Sequence, residues 1–121
     1  MPAKVGYLMI DAADVRALAA FWCGLLGVTT GAVSADGDYL VLSPTEHGLT
    51  LGFQQVADGK LGKNRLHLDL MVDDLDQATA EIERLGGRWL EPGTTRDLDE
   101  FRWRCMADPE GNEFDIAVLT T

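Results

Sequence analysis

Apolar and polar positions alternate along most of this chain, and a helical stripe interrupts the alternation twice. Residues 5–11 alternate as a strand. Val15, Leu18, Trp22, Leu25 and Leu26 then recur at i, i+3, i+7, i+10 and i+11, which predicts one face of a helix over 15–26. Asp14 stands where an N-cap belongs, and Gly27 where a closing glycine belongs. Val28–Ser34 and Asp38–Ser43 flank Ala35, Asp36 and Gly37, a hairpin signal. Leu49–Val56 reads as a fourth strand.

The polar, glycine-containing stretch ADGKLGKN (57–64) reads as a linker, and the same order then repeats. Arg65–Val72 is strand-like. Asp74 with Gln77 three residues on resembles a capping box. Leu75, Ala78, Ile82 and Leu85 form the second helical stripe, closed by Gly86 and Gly87. Arg88–Glu91 is a short strand, Pro92–Asp99 a polar loop, Glu100–Met106 a strand, Asp108–Gly111 a tight turn and Asn112–Leu119 the last strand. Residues 7–27 and 67–87 share this layout at an offset of 60, with few identical letters. The expected fold class is α+β, built from two tandem βαβββ modules, 1–56 and 65–121, with mixed sheets. The offset makes Tyr7 and His67 equivalent positions.

Strand alternation assigns the faces. Leu8 and Ile10, Leu49, Leu51 and Phe53, Leu66, Leu68, Leu70 and Val72, and Phe114, Ile116 and Val118 are expected against the helices. Tyr7, Met9 and Asp11, Thr50, Gly52 and Gln54, His67, Asp69 and Met71, and Glu113, Asp115 and Ala117 take the other face. Each sheet thus has an apolar face and a mixed one, and the mixed face meets either solvent or a cavity. In the strand 100–106, Phe101, Trp103 and Cys105 alternate with Arg102 and Arg104. Which set faces the cavity is open at this level.

Charge narrows the partners. A formal net charge of −10 opposes nucleic acid, because phosphates would be repelled. No apolar run approaches the ~20 residues of a membrane helix, and no signal-peptide pattern opens the chain, so a cytoplasmic protein is expected. Cys23 and Cys105 fit no metal-ligand spacing and read as free thiols. His47 reads as a surface turn residue and Trp22 as core. GKLGKN lacks both the spacing and the context of a phosphate loop.

The repeated βαβββ order, the helix start DVRALAAFW (14–22), VDDLDQATAEIERLGG (72–87) and DPEGNEFDIA (108–117) resemble the glyoxalase/bleomycin-resistance/dioxygenase superfamily, also called the vicinal oxygen chelate family. The resemblance covers essentially the whole chain and is closest to small bacterial glyoxalase-like proteins. It implies curved sheets around a shared cavity, and metal ligands on the first, fourth, fifth and eighth strands. His67 takes the fifth-strand ligand position and Asp115 the eighth, where glutamate is usual. Tyr7 takes the first, where His or Gln is usual. Aligning Gly48 with Gly111 places Gly52 at the fourth, which leaves that ligand missing; Gln54 could substitute only if the register slipped.

The expected consequence is an altered metal site with no tightly bound ion, since a neutral phenol is a poor ligand. The alternative is a divalent metal, Zn, Mn, Fe or Ni, on His67 and Asp115. The candidate catalytic residues are His67, Asp115 and Tyr7. The candidate substrate contacts are Gln54, Met9, Met71 and Trp103. The first functional expectation is a protein that binds or sequesters a small, partly aromatic or carbonyl compound. The second is a lyase, isomerase or dioxygenase acting on a small carbonyl or enol substrate, with or without a metal. An RNA-binding ferredoxin-like module is disfavoured by the charge and by three strands after each helix. A homodimer is expected, because sheets of this size leave edges to cover.

Overall fold

In a computed structural model, which describes residues 2–120, the repeat is present as two units, Met1–Gly59 and Lys60–Thr121. The first unit runs β1 (Leu8–Ala12), α1 (Val15–Leu26), β2 (Thr30–Val33), β3 (Tyr39–Leu42) and β4 (Leu51–Gln55). The second runs β5 (Asp69–Met71), α2 (Leu75–Arg84), β6 (Arg88–Trp89), β7 (Arg96–Leu98), β8 (Phe101–Ala107) and β9 (Glu113–Leu119). The fold is mixed α+β, with one helix among the described residues of each unit.

Each sheet has the same plan. In the first the order is β1-β4-β3-β2, and in the second β5-β9-β8-β6, with β7 also paired to β8. The strand that opens each unit lies parallel to the strand that closes it, and the remaining pairs are antiparallel. A parallel neighbour requires a crossover, and each helix supplies it.

The helices begin where the sequence sets caps. Asp14 accepts a hydrogen bond from Ala17 N, and Asp74 from Gln77 N. Helix α1 ends at Gly27, whose φ of 68° is left-handed. Helix α2 ends differently: Leu85 is a right-handed cap and the following Gly86 has φ 104°.

Helix α1 buries Val15, Leu18, Ala19, Phe21 and Trp22 against β1, β3 and β4 of its own unit, where Leu40, Leu42, Leu51 and Phe53 complete the core. Phe21 meets Trp22 edge to face at 5.3 Å. Helix α2 buries Leu75, Thr79 and Ile82 over β6 and β9, with Met106, Phe114 and Ile116 beneath.

Several expectations need correction. The opening strand of each unit starts late: Tyr7 lies just before β1, and Arg65–Leu68, with His67 among them, precede β5. Leu49 and Leu66 were expected in the core and are exposed, because both fall outside the strands whose alternation placed them there. The loop 92–99 contains a strand, β7, held by pairing to β8 and by an Arg102–Asp97 ion pair at 3.1 Å. All three β7 residues are exposed, so no apolar alternation announces it. Leu25, Leu26, Leu68, Leu70 and Val118 are only half-buried. No helix among the described residues is long and apolar enough to cross a membrane.

Candidate functional site

The open face of the second sheet forms a cavity of about 420 Å³. Met71 and Ala117 sit on β5 and β9, Leu98 on β7, and Phe101 and Trp103 on β8; His67, Asp69 and Asp115 complete the lining. Strand pairing explains the set, because direct cross-strand partners share a face. Met71 pairs with Ala117, Trp103 with Ala117, and Leu98 with Phe101. The question left open for β8 is thereby answered: Phe101 and Trp103 line the cavity.

Arg104 points the other way. Its Nη1 donates to Leu75 O at 3.2 Å and to Thr79 Oγ1 at 2.8 Å, and its guanidinium lies 4.2 Å over the Trp89 ring. Arg104 thus ties β8 to the N-terminal turns of α2, and its role is structural.

The polar end of the cavity is a triad. His67 Nε2 lies 3.3 Å from Asp69 Oδ1 and 3.5 Å from Asp115 Oδ2. Asp69 and Asp115 are direct partners across β5 and β9. The Asp115 side chain is 19% exposed, against 54% for His67 and 62% for Asp69. Burial pushes the Asp115 carboxyl above its ordinary range; the Cys105 thiol, opposite it on β8, donates a hydrogen bond that opposes the shift, and the Asp69 charge adds to it. Burial and the facing Asp115 push the Cys105 thiol up as well, so it stays protonated as a donor. Cys23 and Cys105 are free thiols, both half-buried.

These three groups fit a divalent cation. One atom from each lies within 4.8 Å of the others. Ligand atoms bound at about 2.1 Å sit roughly 3.0–3.4 Å apart at octahedral or tetrahedral angles, close to the two separations from His67. One imidazole and two carboxylates suit Mn²⁺, Fe²⁺ or Zn²⁺. Sequence reasoning placed Asp69 on the correct face but did not select it. The signal was its spacing, two residues after a candidate ligand in the segment that alternation reads as one strand.

The equivalent place in the first unit is closed. Met9 pairs with Gly52 across β1 and β4 as Asp69 pairs with Asp115. A Cβ on Gly52 would lie 2.5 Å from Met9 Sδ, so the thioether covers the glycine. Gly48 and Gly111, the residues used to align the two halves, have φ of 90° and 85°. Of the other sequence candidates in this unit, Tyr7 is 58% exposed ahead of β1, and Gln54 lies on β4 between Asp11 and Tyr39. His67, Asp115, Met71 and Trp103 are therefore brought together within the second unit, while Tyr7, Met9 and Gln54 belong to the first.

Comparison with known proteins agrees with this architecture. A glyoxalase/bleomycin resistance protein/dioxygenase family enzyme from Burkholderia phytofirmans PsJN superposes with a TM-score of 0.80 at 18% identity, covering 97% of this chain and 99% of that one. A mutant of the genomically encoded fosfomycin resistance protein FosX from Listeria monocytogenes, complexed with Mn(II) and a dihydroxypropylphosphonic acid, superposes with a TM-score of 0.77 at 17% identity, covering 96% and 90%. At these identities the likeness is one of fold. No curated protein sequence matches the chain. The sequence profile of the glyoxalase-like domain matches residues 7–117, nearly the whole chain, and the protein belongs to that family, within the vicinal oxygen chelate superfamily.

Proposed function

We propose that the second unit binds a small, partly aromatic compound bearing carbonyl or hydroxyl oxygens, and that His67, Asp69 and Asp115 hold an exchangeable divalent cation at the polar end of its cavity. The observation that carries this reading is the convergence of an imidazole and two carboxylates at ligand spacing beside an aromatic wall. Trp103 and Phe101 offer ring faces for stacking. His67 and Asp69 are open enough to exchange with water, so three ligands hold the ion weakly. A bound cation would polarise a ligand oxygen. The FosX complex with Mn(II) supports the choice of Mn²⁺ as the probe.

A second reading rests on the raised Asp115 carboxyl beside His67. Such a pair can pass a proton to and from a carbon next to a carbonyl, which would make the protein an isomerase or lyase acting without a metal. The four residues of β2, at the edge of the first sheet, are all exposed, which supports a homodimer that covers edges.

Titration with Mn²⁺, followed by calorimetry and by the paramagnetic resonance of free Mn²⁺, tests the reading. One site per chain is expected, lost in both His67→Ala and Asp115→Ala while each variant still melts cooperatively in chelator. Absence of binding at millimolar Mn²⁺ would leave only the metal-free reading.

A further inference from the structure

A cation with no role in the triad stands beside the cavity, on a strand that helps to line it. Arg96 pairs with Trp103 across β7 and β8, two residues before Leu98, which pairs with Phe101. Leu98, Phe101 and Trp103 all line the cavity, and direct partners in an antiparallel pair project to one face. Arg96 therefore leaves its strand on the cavity side. Its guanidinium also reaches the Cys105 sulfur, and Cys105 stands opposite Asp115. The order across the face is thus Arg96, Cys105, Asp115, with Trp103 alongside.

The guanidinium is only partly engaged. Both oxygens of Glu91 accept from the same nitrogen, Nη2, at 2.7 and 2.8 Å. The Nε and Nη1 groups are not used by that carboxylate and carry three N–H donors between them. Arg96 also remains 47% exposed, so a ligand can reach it.

We propose that Arg96 is a specificity-determining residue, and that the ligand of this cavity is an aromatic anion whose carboxylate or phosphonate oxygens it takes. The inference rests on the cavity reading above. Its physical basis is the local charge. Asp69, Asp115 and Glu91 lie along this face in a chain of net charge −10, so in the metal-free site an anion would be repelled without Arg96. A planar guanidinium with free donors reverses that preference by charge-assisted hydrogen bonding.

The test uses benzoate and its neutral isostere benzamide, binding to the full chain with and without Mn²⁺, read by amide and indole NMR shifts. In the wild type benzoate should bind about tenfold more tightly than benzamide, the factor of one charge-assisted hydrogen bond. In Arg96→Gln the order should invert, with benzamide affinity unchanged, and Arg96→Lys should restore part of the preference. Equal binding of the two probes to the wild type overturns the anion inference and leaves the cavity reading standing. A benzoate preference that persists in Arg96→Gln, or that exists only with Mn²⁺ and ignores the substitution, overturns the assignment to Arg96. Binding of neither probe overturns both the cavity reading and this inference.

Discussion

Asp69 lies directly beside Asp115 across the parallel pair β5–β9, and both carboxylates face the one imidazole of His67. Two like charges on adjacent strands cost free energy unless a proton or a cation offsets them. The consequence is a stability that depends on metal. Saturating Mn²⁺ should raise the melting temperature, by about 2.7 kcal/mol of stabilisation at a hundredfold excess over Kd, and chelator should reverse it. Asp69→Asn should weaken Mn²⁺ binding by at least about tenfold, since a ligand is lost. An unchanged Mn²⁺ isotherm in Asp69→Asn would remove it from the ligand set.

The same pair predicts a pH dependence in chelator. The folded-state pKa of Asp115 is raised, chiefly by burial. The native state therefore holds this proton more tightly than the unfolded chain does. Its contribution to stability is present at low pH and is lost as pH rises from the ordinary carboxylate range through the raised value. Asp115→Asn should be the more stable protein at neutral pH, and the advantage should vanish below about pH 4. Thermal melts of the two proteins across pH 3–8 check the sign. A wild type that gains on Asp115→Asn as pH rises would contradict it.

Much of this was legible in the sequence, and the exceptions share a cause. Caps and closing glycines act through neighbours in the chain, so Asp14, Gly27 and Asp74 could be read directly. Alternation fixed the faces of β4 and β9, where Leu51, Phe53, Phe114 and Ile116 are buried. The aspartate pairing follows the repeat, which also matches Met9 to Gly52. Strand β7 was not legible, because its order comes from β8 and not from its own residues. Asp69 was visible on its face, but its choice as a ligand needs the angle at which His67 leaves the chain before β5. That angle depends on tertiary structure.

Gly52 tests how the first unit is closed. Gly52→Ala would set a Cβ 2.5 Å from Met9 Sδ and 3.0 Å from Val41 Cγ1. The thioether is flexible and can swing away, whereas the β-branched valine cannot. The expected cost is about 1–2 kcal/mol. Met9→Ala should recover part of it, as a double-mutant cycle in urea would reveal. Simple additivity of the two changes would show that Met9 does not cover Gly52 in solution.

Arg104 offers a control on the opposite face. Its side chain is 11% exposed, and it donates to Thr95 Oγ1, Leu75 O and Thr79 Oγ1 while stacking on Trp89. Arg104→Ala removes these bonds and the stack together, at a cost of about 2–4 kcal/mol. Binding of Mn²⁺ and benzoate by the remaining folded protein should not change. A selective loss of ligand with unaltered stability would place Arg104 in the site instead.

The last prediction concerns how the turn before β9 sets the site. Asp108 is 2% exposed. Its Oδ1 accepts from Glu110 N, Asn112 N and Asn112 Nδ2, and its Oδ2 from Asn112 Nδ2. Gly111 N donates to Asp108 O, and Asp108 N donates to Asn112 O, so the turn is closed from both ends. Gly111, at φ 85°, supplies the left-handed residue that the turn requires. This turn fixes where β9 starts, and therefore which residues face the cavity. A slip of one residue would send Asp115 to the helix side and bring Phe114 or Ile116 out. Asp108→Ala leaves two backbone N–H groups without their acceptor and should cost about 2–4 kcal/mol. Asp108→Asn keeps one acceptor oxygen and should cost less. In both variants the loss of Mn²⁺ affinity should follow the loss of fold, measured as a common midpoint in a urea titration. Asp108→Asn retaining full stability but no Mn²⁺ binding would show that the turn serves the site by some route other than strand register.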